Sequence, residues 1–238
     1  MTVSTGWGRE DLERLGPGAA AVVVVDVLSS TTTVTVALDR GIEVVPHPWA
    51  DATAADVARR RQAVLAVGRS RARPGEVSLS PVSVRAAGPG LRRIVLPSPN
   101  GSTLTAAAAE LGLVVVAACL RNAGAVAGWL ARNAPSGPVL VLAAGERDGA
   151  GLRRAEEDLW GAGAVLSGLQ DRGWVLSGAA RDAADAYRAV SDVRESLRDS
   201  VSGRELCDLG FAADVDVAAE VGMSDVVPVL VDGCFLGG

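Results

Sequence analysis

Residues 19–25 read Ala-Ala-Ala-Val-Val-Val-Val and stop abruptly at Asp26. An unbroken apolar, β-branched run has no polar face, so it fits a strand covered on both sides and not an amphipathic one. Such a strand belongs in an α/β protein, and the rest of the chain repeats the theme. Short apolar runs at 42–45, 64–67, 93–96, 113–118 and 138–144 alternate with helical stretches at 51–62, 103–111, 123–132 and 154–170. After Asp26 the hydroxyl cluster Ser29, Ser30, Thr31, Thr32 and Thr33 leads into a helix that stops at Gly41. Further helical patterns fall at 182–190 and 203–209. The run 226–231 is joined to Cys234-Phe235-Leu236 by Asp232-Gly233, a pair suited to a two-residue type I′ hairpin turn. The expected fold is one three-layer α/β/α domain over residues 1–238, with a mainly parallel mixed sheet and the C-terminal hairpin as its antiparallel edge. Residues 68–90, punctuated by proline, glycine and arginine, are expected to form an extended, mobile surface loop.

Size and composition narrow the function. A chain of 238 residues is long enough to bury roughly three quarters of its unfolded surface. Apolar residues make up 49% and aromatics 3%, so Val, Leu, Ile and Ala must fill the core. Every one of the 23 basic residues is arginine, and the acids outnumber them to give a net charge of −5. That balance argues against a nucleic acid partner, and the absence of lysine removes lysine chemistry and the P-loop. Cys119, Cys207 and Cys234 show no paired spacing for zinc or disulfides, which suits a reducing compartment. The first fifteen residues lack an apolar core for a signal peptide, and the apolar runs are too short to span a bilayer. A soluble cytoplasmic protein with no membrane partner is expected.

Four polar loops follow the strands. They contain Asp26 with residues 29–33, Ser98 with Asn100, Gly101 and Ser102, Arg121 with Asn122, and Glu146, Arg147 and Asp148 with the later Glu157 and Asp158. If the sheet gathers them on one rim, carboxylates and helix N-termini could hold a divalent cation together with a phosphate-like anion. Each piece also has a structural reading: hydroxyls as helix caps, Asn100-Gly101 as a turn, and acids 156–158 as partners of a helix dipole. Asp26 resists that reading, because a carboxylate ending an apolar strand is costly to bury unpaired. His47 is the only histidine, so no histidine phosphatase pair or three-histidine zinc site is possible. Asp26 lacks a second Asp two residues on, no Cys has an Arg six residues on, and no nucleotide-binding glycine fingerprint occurs. Metal-assisted chemistry by carboxylates, or plain anion binding, remains.

The sequence Val25-Asp26-Val27-Leu28, a gap of two and then Thr31-Thr32-Thr33 resembles the opening motif of the 2-phosphosulfolactate phosphatases, magnesium-dependent acid phosphatases of coenzyme M biosynthesis. Ser80-Pro81, Asn100-Gly101-Ser102, Arg121-Asn122-Ala123, Gly145 leading to Glu157-Asp158, Ala162-Gly163, Ser202-Gly203-Arg204, Leu206, Gly210-Phe211, Asp214 and residues 224–228 continue the likeness in the same order. The resemblance implies an α/β/α fold, Mg²⁺, and hydrolysis of a phosphate ester on a small sulfonated or carboxylated acid. Asp26, Glu157 and Asp158 are then the expected catalytic and metal-binding acids. Ser29, Ser30, Thr31, Thr32, Ser80, Asn100, Gly101, Ser102, Arg121, Asn122 and Arg147 are the expected substrate contacts, with Arg121 or Arg147 gripping the acid group. A homo-oligomer is left open.

The chain also departs from the family pattern. Ser29 and Ser30 stand where an arginine and a small residue are usual, and Gly68 replaces the acid of a Gly-Glu-Arg motif of which Arg69 remains. Leu79 stands for an asparagine and Gly222 for an aspartate. These departures leave a second reading open, a catalytically degenerate member that binds small anions or serves as a scaffold.

Overall fold

A computed structural model describes residues 1–149 and 151–238, with the side chain of Asp148, one of the acids expected at the rim, outside the described set. The chain runs β1 (Thr2–Trp7), α1 (Gly8–Leu15), β2 (Ala21–Val25), α2 (Ser30–Asp39), β3 (Glu43–His47), α3 (Ala52–Arg61) and β4 (Val64–Leu65). It continues with α4 (Pro81–Arg85), β5 (Arg93–Pro97), α5 (Gly101–Glu110), β6 (Val114–Ala118), α6 (Ala123–Asn133) and β7 (Val139–Ala143). A small hairpin, β8 (Glu146–Asp148) and β9 (Gly151–Arg153), precedes α7 (Glu156–Gln170), β10 (Val175–Leu176) and α8 (Gly178–Arg188). The last elements are α9 (Val193–Asp199), α10 (Val201–Asp208), α11 (Ala212–Ala218), β11 (Pro228–Val231) and β12 (Cys234–Gly237).

The apolar run after Ala20 becomes β2, a strand buried along its whole length. Its pleat sends alternate residues to opposite faces. Ala21, Val23 and Val25 join a cluster with Leu130 of α6, Val165 and Leu169 of α7 and Ala180 of α8. Val22 and Val24 pack instead with Leu12 of α1 and with Leu104 and Ala108 of α5. Helices therefore cover both faces, and each buried valine contributes about 1.5–3 kcal/mol to holding the layers together.

Ten of the strands form one sheet in the order β10-β1-β7-β2-β6-β11-β12-β3-β5-β4, and β8 pairs with β9 separately. β10, β1, β7, β2 and β6 are mutually parallel. β3, β5 and β4 form a second parallel block. Three antiparallel junctions join the blocks, so the second runs opposite to the first. The sheet is mixed and mostly parallel, but its strand ends do not share the one rim expected of a single parallel set.

The C-terminal hairpin forms with the turn chemistry its sequence specifies: Asp232 and Gly233 both have positive φ, 50° and 74°. Its place is not the expected edge. It sits in the middle of the sheet, where Val229 pairs with Val116 and Phe235 with Val44. Phe235, only 2% exposed, fills the core beside Ile94 and Leu96, which an edge position could not offer. The expected loop at 68–90 is also corrected. It contains a 3₁₀ turn at Arg69–Arg71, a bridge between Val67 and Ser78, and α4. Its Val77, Ser78 and Val84 are buried. β1, within the first fifteen residues, and the β8–β9 hairpin, which begins in the polar loop expected at Glu146, are further strands. Among the described residues no helix is long and apolar enough to cross a membrane.

Candidate active site

Asp26 emerges from β2 only 5% exposed, and its carboxylate is held by two amides. Oδ1 accepts the N–H of Ser30 at 3.1 Å, and Oδ2 accepts the N–H of Gly101 at 2.7 Å. Gly101 comes from the loop after β5, in the block that runs the other way. Neighbouring strands rotate by roughly 20–25°. Accumulated over the five steps from β2 to β5, that rotation lets ends of opposed strands meet. Gly101 has to be glycine, because a Cβ there would stand 2.7 Å from Asp26 Oδ2 and 2.9 Å from Ser30 Oγ.

The threonines expected to hold ligand oxygens fasten the loop instead. Thr31 Oγ1 donates to the carbonyl of Asp26 at 2.7 Å and accepts its amide at 3.1 Å. Thr32 Oγ1 donates to the carbonyl of Val27 at 2.8 Å. Both are buried, so their hydroxyl protons serve the turn that aims Asp26.

The second acidic pair lies on the first turn of α7, which approaches β2 closely. A Cβ on Gly161 would come within 2.6 Å of Val27 and 2.8 Å of Val25. Asp158 Oδ1 accepts the amide of Val27 at 2.7 Å, and Oδ2 accepts the amide of Gly145 at 2.8 Å. Asp158 thus ties together the loops after β2 and β7. Glu157 is different: it is 1% exposed and neither carboxylate oxygen has a hydrogen-bond partner. A fourth acid, Glu146 on β8, accepts Asn100 Nδ2 at 2.8 Å.

These four acids sense one another. Burial pushes the Asp26 carboxyl above its ordinary range, and the charge of Glu157 adds to the effect against two amide hydrogen bonds. Burial likewise holds Asp158 well above the usual carboxylate range, with Asp26 and Glu157 raising it further. Glu146 is pushed up to about 8, first by burial and then by Asp26. Like charges in a low-dielectric site disfavour ionisation unless a cation joins them. Among the described residues, however, no three His, Cys, Asp or Glu side chains are arranged to hold a metal ion together.

The remaining expected contacts divide. Arg121 is withdrawn from the site: buried, it pairs through Nη2 with Asp39 at 2.9 Å and through Nη1 with Glu220. Both terminal nitrogens donate to carboxylates, while Nε is buried without a hydrogen-bond partner. Asn122 is a turn residue. Its Oδ1 accepts the amide of Cys119 at 2.9 Å, and its Nδ2 donates to the carbonyl of Val226 at 3.1 Å. Ser102 donates to the carbonyl of Leu96 at 3.2 Å. Ser80 caps α4 and donates to Asp214. Ser29, Ser30, Asn100 and Gly101 do gather around Asp26 and Glu146 through the bonds already given and one from Arg69 to Ser29 Oγ at 2.7 Å. Arg147 is exposed, 5.3 Å from the ring of Trp49, and lines a cleft of about 530 Å³ that also touches Asn100, Arg9, Thr103 and Leu152.

Four residues were not among the expected site set. Glu146 stood in a polar loop without a role, Asp214 was part of the family likeness, and Arg69 was the remnant of a motif. Arg153, whose charge opposes the rise at Glu146, carried no signal at all. Its proximity depends on the pairing of β8 with β9, which sets Arg153 opposite Glu146.

Residues 10–233 match the family described as 2-phosphosulpholactate phosphatase. A probable 2-phosphosulfolactate phosphatase of Deinococcus radiodurans is 33% identical over 215 residues, covering 89% of this chain and 88% of the relative. The corresponding Thermus thermophilus protein is 34% identical over 213 residues, covering 88% and 87%. The 2-phosphosulfolactate phosphatase of Methanothermobacter thermautotrophicus is 30% identical over 216 residues, covering 91% and 89%. Buried carboxylates supported by strand-end loops and a match over nearly the whole length lead to one conclusion: the chain belongs to the 2-phosphosulfolactate phosphatase family, a family of phosphoric monoester hydrolases.

Proposed function

We propose that this phosphatase is Mg²⁺-dependent and hydrolyses the phosphate ester of a small sulfonated or carboxylated acid, 2-phosphosulfolactate being the substrate named for its relatives. The observation that carries the metal is Glu157, a fully buried carboxylate with both oxygens unpartnered beside Asp26. Leaving an ionised carboxylate in that state costs several kcal/mol, roughly, unless a counter-charge is present. Mg²⁺ suits the donor set, because it takes one or two carboxylates and keeps its other positions for water and phosphate, so no triad of acids is required. Asp26 and Glu157 would hold it. When bound, it supplies positive charge against the transferring phosphoryl group.

The chain's own residues do the rest. The amides of Gly101 and Ser30 fix the direction of Asp26, and Asp158 keeps the β2 and β7 loops at a constant separation. Burial of Asp26, Glu157 and Asp158 lowers the local dielectric and strengthens every charge interaction at the site. Asn100 orients Glu146, and Arg147, which lines the same cleft as Asn100, would hold the substrate's carboxylate or sulfonate.

The test is phosphate release from 2-phosphosulfolactate, a carboxylated phosphate ester and p-nitrophenyl phosphate, with Mg²⁺ and with chelator. The proposal expects Mg²⁺-dependent release that favours the doubly acidic esters. Release unaffected by chelator would overturn the metal assignment. No release, combined with thermal stabilisation by phosphate, would support the binding-only reading instead.

A further inference from the structure

We propose that Arg69 is the anion-gripping residue of this active site, holding the phosphoryl oxygens of the substrate, and that Asp214 is its positioning residue. The inference rests on the phosphatase reading and deepens it by naming the fixed cation that a cluster of acids needs before a phosphate can approach.

The other arginines near the acids are placed differently: Arg121 pairs with Asp39 and Glu220, Arg153 donates to Ser202 Oγ at 3.2 Å on α10, and Arg147 lies exposed over Trp49, where it is left for the substrate's acid group. Arg69 reaches the loop that leads from Asp26 into α2. Its Nη2 donates to Ser29 Oγ at 2.7 Å, at the start of α2, and to the carbonyl of Leu79 at 3.3 Å. Both are neutral acceptors, weaker than a phosphoryl oxygen. Among the described residues its hydrogen bonds all leave from Nη2, while Nε is buried without an aligned acceptor.

The guanidinium is nevertheless held firmly. Nε lies 3.0 Å from Asp214 Oδ2, and Phe211 faces the group at 5.5 Å. Asp214 is 2% exposed and is fixed in turn by the hydroxyl of Ser80 and the amide of Val82. The side chain of Arg69 keeps 17% exposure, so one edge faces open space. An arginine fixed from behind, bonded in front only to neutral groups and adjacent to a helix start is preorganised for a forked contact with an oxyanion.

The test uses the full chain with inorganic phosphate as probe, read as competitive inhibition and as a phosphate-induced rise in melting temperature. Arg69→Ala is expected to weaken phosphate inhibition and raise KM by about 10- to 100-fold, the size of one charge-assisted contact. Free guanidinium should restore part of both, which a purely structural arginine would not show. Arg69→Lys, which keeps the charge beside Asp214, should fold and fall between the two; Asp214→Asn should raise KM more than it lowers kcat. Unchanged phosphate inhibition in Arg69→Lys and Arg69→Ala, or loss that guanidinium fails to restore, would overturn the proposal. If the unaltered protein released no phosphate from any ester, the phosphatase reading would fail separately, with the phosphate-induced melting shift still reporting on Arg69.

Discussion

Asp26 and Gly101 are 75 positions apart and lie at the ends of strands that run in opposite directions, yet the carboxylate of one accepts the amide of the other at 2.7 Å. This bond joins the two blocks of the sheet at the active site. It also fixes a glycine without any call on unusual backbone angles. Gly101→Ala would drive a methyl into Asp26 Oδ2 and Ser30 Oγ. The expected cost is about 1–3 kcal/mol of stability, typical of overpacking. Phosphate release should fall further than stability alone explains, measured as kcat at a temperature where the variant remains folded.

The two arginines that sequence offered as acid grips should separate cleanly on mutation. Arg121→Ala strands Asp39 and Glu220 and is expected to cost about 3 kcal/mol, the lower end for breaking a buried pair. KM among molecules that remain folded should not change. Arg147→Ala should do the reverse, leaving the melting temperature within a degree or two, roughly, as surface changes do, and raising KM for acidic esters. Thermal melts and steady-state kinetics on both variants check this.

Glu146 predicts a pH effect on the metal-free protein. Its folded carboxyl is pushed up to about 8 from an ordinary value of 4.5. Between those values the folded state keeps a proton that the unfolded state has released, so stability falls as pH rises through this window and is flat below it. Glu146→Gln should remove that part of the slope. Melting temperatures in chelator from pH 4 to 9 test the sign, and a slope equal in the variant and the parent would contradict it.

Glu157→Gln should have two opposite consequences. Without metal the variant should melt higher, because a neutral amide replaces an unpartnered buried carboxylate. The rise in melting temperature on adding Mg²⁺ should disappear. The loss of Mg²⁺ affinity should exceed the roughly 10–100-fold seen when only an outer partner of a metal ligand is removed.

Much of this was written locally in the sequence. The valine run before Asp26 specified a two-sided strand, and Asp232-Gly233 specified its turn, because burial on both faces and positive φ are properties of a few adjacent residues. Where the hairpin sits was not local: its central place depends on Val116 and Val44, more than a hundred residues away. β1 escaped notice since Thr, Ser and Gly break its apolar pattern, and residues 68–90 looked like open loop since the residues that anchor them inside, Val77, Ser78, Ser80, Pro81 and Val84, form no continuous apolar run. The acids of the site were legible as polar residues after apolar strands. Their division of labour was not, because Asp158 and Glu157 are neighbours in sequence and only the backbone amides of Val27 and Gly145 distinguish the clamp from the free carboxylate. Arg121 misled for the same reason, since Asp39 and Glu220 are remote in the chain.

The central claim is that Asp26 and Glu157 share a divalent cation. Crystals grown with Mn²⁺ in place of Mg²⁺ and a phosphate mimic test it most directly through anomalous scattering. A single strong peak is expected within about 2.0–2.3 Å of one oxygen of Asp26 and one of Glu157, the range for hard-cation coordination. A peak bound to other residues, or none there with Mn²⁺ supporting full phosphate release, would contradict it.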